Sequence, residues 1–363
     1  MKKVLALVLA LCMVFALCAC GKTAAPAATE AAPAAEAAPA EAAPAEAAKP
    51  AVEPVTFKMS FTDPESSPYA QGGLKIAELV KEATDGVINI EVYSSSSLGT
   101  EGETVEMCAN GELDIATCAN SVLENYFPES AALEQPFLWT DTDAANYALM
   151  HETGKLMAAG VEKSGMHMIG FEESGFRNMY TVNPIKSYDD LQGLKIRTMG
   201  SDLQVAMWNS FGCVATPLAS TEQFTALQQG TVLAVENAVC NDWNSGWYEV
   251  APYGTWTNHY FCYIILCMSD NAYQKVVDLG YEDAFLAAVQ EGCEYEWDLL
   301  IEQNAQAVEN LEGAGVEFFT MPAEDIETLK ANYKTYIEKQ GITFDQAWQD
   351  AIAADQAAYA ASK

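Results

Sequence analysis

The chain has 363 residues, half of them hydrophobic, with 51 Asp and Glu against 18 Lys and Arg and a formal net charge of −33 at pH 7. So acidic a surface repels nucleic acid and anionic lipid headgroups, which excludes them as electrostatically driven partners. The cysteines Cys108, Cys118, Cys213, Cys240 and Cys293 are scattered without paired short spacings, so no metal site is expected.

Lys2 and Lys3 precede an apolar run from Val4 to Leu17 that is short for a bilayer span and has the charge layout of a secretory signal. Residues 1–19 are therefore expected to be removed. The junction Leu17-Cys18-Ala19-Cys20-Gly21 resembles a bacterial lipobox, which implies lipidation of Cys20 and attachment to the outer face of the cytoplasmic membrane. Residues 20–54 then repeat Ala, Pro and Glu. The prolines break any helix the alanines favour, and no large apolar residue is present to bury, so this stretch predicts a solvated tether.

The remaining residues, about 310, suffice for two domains with a large core. Val55 to Phe61 alternates as a strand, and Leu74, Ile76, Ala77, Leu79 and Val80 have the spacing of an amphipathic helix over Gly73–Ala83. Val87–Tyr93 reads as a second strand. A helix around Glu103–Ala109 stops at Asn110-Gly111, and Leu113–Thr117 returns as a third strand. Such repetition predicts an α/β fold with a mostly parallel sheet, its ligand crevice at the carboxyl ends of the strands. Tyr260–Met268 fits a buried strand, and the chain from Asp278 onward is helical in pattern, interrupted at Gly313-Ala314-Gly315 by a short strand over Val316–Phe319.

Chemistry concentrates between Phe176 and Asn237. Arg197 lies between Ile196 and Thr198 in a chain poor in cations, and a guanidinium offers a planar fork of donors that matches both oxygens of a carboxylate. The bland reading is an arginine that pairs with one of the many acids or caps a strand end. The segments Phe176-Arg177-Asn178-Met179-Tyr180-Thr181, Gly193-Leu194-Lys195-Ile196-Arg197 and Val235-Glu236-Asn237 resemble the solute-binding proteins of TRAP transporters. Glu78, Val80, Gly86, Val92, Leu98, Gly99, Gly111, Leu113 and Asp114 extend the likeness into the first half.

The resemblance implies a two-lobed, periplasmic-binding-protein-like fold with a hinge and segments crossing between lobes: 55–174 plus about 263–302 as lobe I, 175–262 plus about 303–363 as lobe II and bracing helices. It also implies that Arg197 holds the ligand carboxylate, that Arg177 and Asn237 assist, that Asn120 contributes from the first lobe and that Ser220 lines the pocket. Asn120 has a competing reading as a helix cap beside Ser121. The asparagine motif here lacks the Asp-Gly before it and the proline after it that the family carries.

The function so implied is an extracytoplasmic receptor, a monomer without cofactor, that delivers an organic acid to TRAP permease subunits. A rival is the binding lipoprotein of an ABC importer, which shares the lobed design and the anchor. No His-Glu-x-x-His, no Gly-x-Ser-x-Gly elbow and no phosphate loop points to an enzyme, and a secreted hydrolase is the remoter alternative. Seven cysteines remain beyond Cys20, an odd number that requires at least one free thiol or intermolecular bond, and Cys262 and Cys267 point to opposite faces of one strand.

Overall fold

A computed structural model describes residues 53–363. The expected signal, the expected lipidation site Cys20 and nearly all of the expected tether lie outside the described residues. The chain begins with β1 (Val55–Ser60), α1 (Pro68–Ala83), β2 (Ile88–Tyr93), α2 (Glu101–Ala109) and β3 (Ile115–Ala119). Local sequence sets these ends. Ser67 Oγ accepts the Ala70 amide at 3.2 Å with Pro68 in the first turn, so α1 starts well ahead of the Gly73 that its apolar spacing suggests. Thr100 and Glu103 close a reciprocal capping box at the start of α2, each accepting from the other's amide.

After α3 (Asn120–Leu123), a 3-10 turn at Pro128–Glu134, α4 (Thr142–Leu149) and α5 (Glu152–Lys163), the chain enters β4 (Met166–Thr181). Then come β5 (Lys195–Thr198), α6 (Asp202–Ser210), β6 (Val214–Pro217), α7 (Gln223–Gln228), β7 (Ala234–Asn237), α8 (Val239–Ser245) and β8 (Tyr253–Ser269). The remainder is α9 (Asp270–Asp278), α10 (Glu282–Gly313), β9 (Glu317–Thr320), α11 (Ala323–Gln340) and α12 (Gln346–Ser362).

β4 and β8 position everything else. They pair antiparallel from Met166 opposite Ser269 to Thr181 opposite Tyr253, and strands of 16 and 17 residues at about 3.3 Å per residue reach roughly 50 Å, long enough to belong to both lobes. The sheet order is β2-β1-β3-β8-β4-β7-β5-β6, with β9 beside β8. β1, β2 and β3 are parallel at one end, and β5, β6 and β7 at the other. The mostly parallel sheet expected from the alternation of elements therefore holds at the flanks and fails at the centre. There two strands cross between lobes directly and run antiparallel to β3 and β7.

The expected start of the second lobe near Gly175 falls inside continuous β4, where the register shifts between Glu173 and Gly175 and Gly175 takes φ +74°. A β-carbon in that left-handed conformation is strained, so glycine fits the bulge.

The sheet separates two cores. Ile76, Val289 and Cys262 belong to one, and Met157, Tyr263 and Cys267 to the other, which keeps Cys262 and Cys267 apart. All seven described cysteines are buried and free. A third cluster joins Ile196, Trp208 and Phe211 to Leu329 and Tyr333 of α11. The long α10 lies against α1 of the first lobe and α8 of the second. Gly292 permits the first contact, since a β-carbon there would stand 3.1 Å from the Ile76 backbone.

The two C-terminal helices divide. α11 packs on α6, whereas α12 joins the first lobe's core through Trp348 and Ile352. Asp355 of α12 accepts the Glu152 and Thr153 amides at 3.2 and 2.8 Å and so caps α5. The span 303–363 thus touches both lobes, with α12 placed by its cap on lobe I.

Candidate ligand-binding site

The carboxyl ends of the parallel strands face one another across the gap between lobes. β1 leads to Thr62 and Asp63, and β3 ends at Ala119 beside the amino terminus of α2, where Glu101 sits. From the other side β5 ends just after Arg197, β6 leads to Leu218 and Ser220, and β7 ends at Asn237. Three adjoining cavities fill the gap. The largest, about 330 Å³, is lined by Thr100, Glu101 and Val122 of the first lobe and by Arg197, Met199 and Ser220 of the second. Another of about 220 Å³ touches Asp63, Ser220, Asn237, Asn241 and Trp247. Between them a neck of about 40 Å³ is bounded by Asp63, Glu101, Arg177, Arg197, Ser220 and Asn237.

Both arginines are buried, 4% exposed at Arg197 and 3% at Arg177, but their donors are committed differently. Arg177 gives Nε to Glu236 Oε2 at 2.5 Å, Nη2 to Glu236 Oε1 at 2.9 Å and to its carbonyl at 2.7 Å, and Nη1 to Asn237 Oδ1 at 2.8 Å. Of the five N–H groups of a guanidinium, one remains. Arg197 gives only Nε, to the Leu218 carbonyl at 2.9 Å, and neither Nη has a protein partner among the described residues. No carboxylate lies within ion-pair distance of it among those residues. Burial lowers the Arg197 pKa to about 10, with Glu236 pulling up and Arg177 pulling down, so the group stays charged at neutral pH.

Glu236 is the acid that sequence reasoning passed over. Burial alone would raise its pKa, but Arg177, at bidentate distance, and His259, whose Nε2 is 3.3 Å from Oε2, bring it down to about 2. Burial holds His259 itself below the usual imidazole value. Asn237 points its Oδ1 at Arg177, Ser174 and the Ala238 amide, and its Nδ2 makes no bond to the described residues.

Asp63 and Glu101 were also passed over. Burial raises Asp63 to about 6 against the pull of Thr62 and Arg177, and burial followed by the Asp63 charge raises Glu101 to about 7. Nothing in their local sequence marks them; only the convergence of β1 and α2 on one gap does.

Asn120 stands apart from these cavities. Its Nδ2 donates to Glu134 Oε1 at 2.6 Å and to the Tyr260 hydroxyl at 2.8 Å, and its Oδ1 accepts the Tyr263 amide at 3.0 Å. Glu134 in turn accepts from Gln204 of α6 at 2.7 Å, so Asn120 belongs to a buried polar knot tying the lobes together. It does not cap a helix, since α3 has no side-chain cap, and its amide is committed to this knot. Of three tryptophans in the second half, Trp247 lines a cavity, Trp208 is in the second-lobe core, and Trp243 stacks on Tyr248 at 5.1 Å.

A two-lobed α/β receptor with a buried, unpaired arginine facing its crevice is the class that this fold and site define. Residues 59–343 match the bacterial extracellular solute-binding proteins, family 7, and the chain belongs to that family. It is 27% identical over 286 residues to the C4-dicarboxylate-binding periplasmic protein DctP of Rhodobacter capsulatus, covering 75% of this chain and 82% of that one. A TRAP periplasmic solute-binding protein from Xanthobacter autotrophicus, solved with bound β-D-galacturonate, superposes with a TM-score of 0.78 at 26% identity over 83% of this chain and 99% of that one. The sugar acid binding protein DctPAm of Advenella mimigardefordensis, solved with galactonate, reaches a TM-score of 0.81 at 22% identity over 85% of this chain and all of that one. Among the described residues no helix is long and apolar enough to cross a membrane.

Proposed function

We propose that this protein is an extracytoplasmic receptor that captures a carboxylate-bearing solute on Arg197 and hands it to a TRAP-type permease. One observation carries the reading: a buried guanidinium faces the interlobe cavities with both Nη groups unclaimed by protein. Relatives that bind a C4-dicarboxylate, galacturonate or galactonate support the ligand class. Asn237 Nδ2 and the last Arg177 donor would reach the same ligand, and Ser220, present in all three cavities, would tune its fit. The task is binding, not catalysis, and attachment of a monomer through lipidated Cys20 would keep it beside the permease.

Thermal-shift screening of organic acids, followed by calorimetry on each hit, tests the reading. Arg197→Ala should weaken the best acid by about 2–5 kcal/mol, the range for removing one partner of an enclosed charge pair. Unchanged affinity would take Arg197 out of the site.

A further inference from the structure

The gap holds more acid than base. Arg177 and Glu236 cancel each other through their two-point contact, which leaves Arg197 as the one uncompensated cation among the residues lining the three cavities. Across from it stand Asp63 and Glu101, and both border the neck that Arg197 also borders. Among the described residues neither carboxyl group is held by a cation. Asp63 receives only the Thr62 hydroxyl at 3.3 Å, and Glu101 only the Ala119 amide at 3.3 Å, both long contacts that leave most acceptor positions open.

A ligand carboxylate on Arg197 uses up the free positive charge. A second carboxylate in the same enclosed space would face Asp63 and Glu101 with no counter-ion, and like charges repel strongly where water is thin. Resting on the carboxylate reading above, we infer that the crevice selects solutes with one carboxylate whose far end carries hydrogen-bond donors, hydroxyl or ammonium, received by Asp63 and Glu101, and that it rejects dicarboxylates. The neighbours agree with this division. Asp63 sits near Arg177 and Tyr69, and Glu101 near Asp63, Arg197 and Arg177; burial raises the two carboxyl groups to about 6 and 7 although the arginines pull both down.

The test is a matched set of probes on the purified protein: galactonate for hydroxyl donors, 4-aminobutyrate for an ammonium, butyrate for neither, and succinate for a second carboxylate. Calorimetry at pH 7.5 should show galactonate or 4-aminobutyrate binding at least tenfold tighter than both butyrate and succinate, and which of the two wins identifies the donor. The paired variant Asp63→Asn with Glu101→Gln, checked for an unchanged melting temperature, should lose that advantage and gain at least tenfold for succinate. Succinate binding tightest to the unsubstituted protein, and lost in Arg197→Ala, would overturn this selectivity while leaving the carboxylate reading intact. Failure of all four probes to bind would sink both.

Discussion

Arg177 and Arg197 are equally buried and less than a crevice apart, yet they do opposite things. Arg177 lies on the crossing strand β4 and meets Glu236 of β7 in a two-point ion pair, with Asn237 and His259 completing a knot of fixed charge. Arg197 lies at the end of the short strand β5, where the only acceptor it reaches among the described residues is one backbone carbonyl. The difference is one acid. With Glu236 in place the charge of Arg177 is answered and its Nη1 holds Asn237, and without any such acid among the described residues the charge of Arg197 is left unanswered by protein.

Removing that acid should have the largest effect. Glu236→Ala leaves Arg177 buried without its partner, and breaking a buried pair from one side costs about 3–5 kcal/mol. Denaturant unfolding should show the loss directly. Arg197→Ala, by contrast, deletes an unpaired buried charge, so the ligand-free protein should unfold at the same denaturant concentration or a higher one. Equal destabilisation by the two substitutions would erase the distinction between the arginines.

Acid titration sharpens the comparison from the carboxylate side. Burial and the charge of Glu124 raise Glu134 to about 8; Glu101 and Glu173 are raised to about 7 and Asp63 to about 6. Each folded value exceeds the unfolded one, so between the two the folded chain binds more protons and stability falls as pH rises. Glu236 has the opposite sign. Its stabilisation is present above the unfolded carboxylate value and disappears as pH drops toward its own value of about 2. The melting temperature should therefore be higher near pH 5.5 than at pH 8, and should fall again below about pH 4, the latter limb missing in Glu236→Ala. A melting temperature that climbs steadily from pH 5.5 to 8 would contradict the raised values.

Much of this was legible in advance, and what was not has a physical reason. The flanking strands and helices follow period-2 and period-3.6 patterns that one sequence displays. β4 does not, because bulges at three places shift its alternation and Glu172 and Glu173 sit buried in its middle. The Arg197 placement followed from a motif, whereas the commitment of Arg177 to Glu236 depends on strand register across some sixty residues of chain, which no local pattern encodes. The surroundings of Asn120 were hidden for the same reason. Its partners Glu134 and Tyr260 are brought to it by the 3-10 turn and by β8.

That polar knot gives a smaller test. Asn120→Ala removes two donors and one acceptor from Glu134, Tyr260 and the Tyr263 amide, and leaving such buried groups short of partners costs about 1–3 kcal/mol. Because Glu134 also accepts from Gln204 of the facing lobe, the loss should appear as reduced stability with ligand affinity changed far less than in Arg197→Ala. An affinity loss as large as that of Arg197→Ala would place Asn120 in the site after all.

The smallest expected effect is that of salt, and it separates an enclosed arginine from a rim one. The net charge of −33 repels an anionic solute from a distance, and salt weakens that repulsion, since the screening length is about 10 Å at 0.1 M. The short-range contact with Arg197 works in the opposite direction, but burial shields it from the same ions. Affinity measured by calorimetry between about 0.05 and 0.5 M sodium chloride should hence stay nearly constant or rise modestly. A steep fall would mean that the carboxylate is held by exposed charge at the mouth of the crevice, a place where Arg177 and Arg197 would no longer differ.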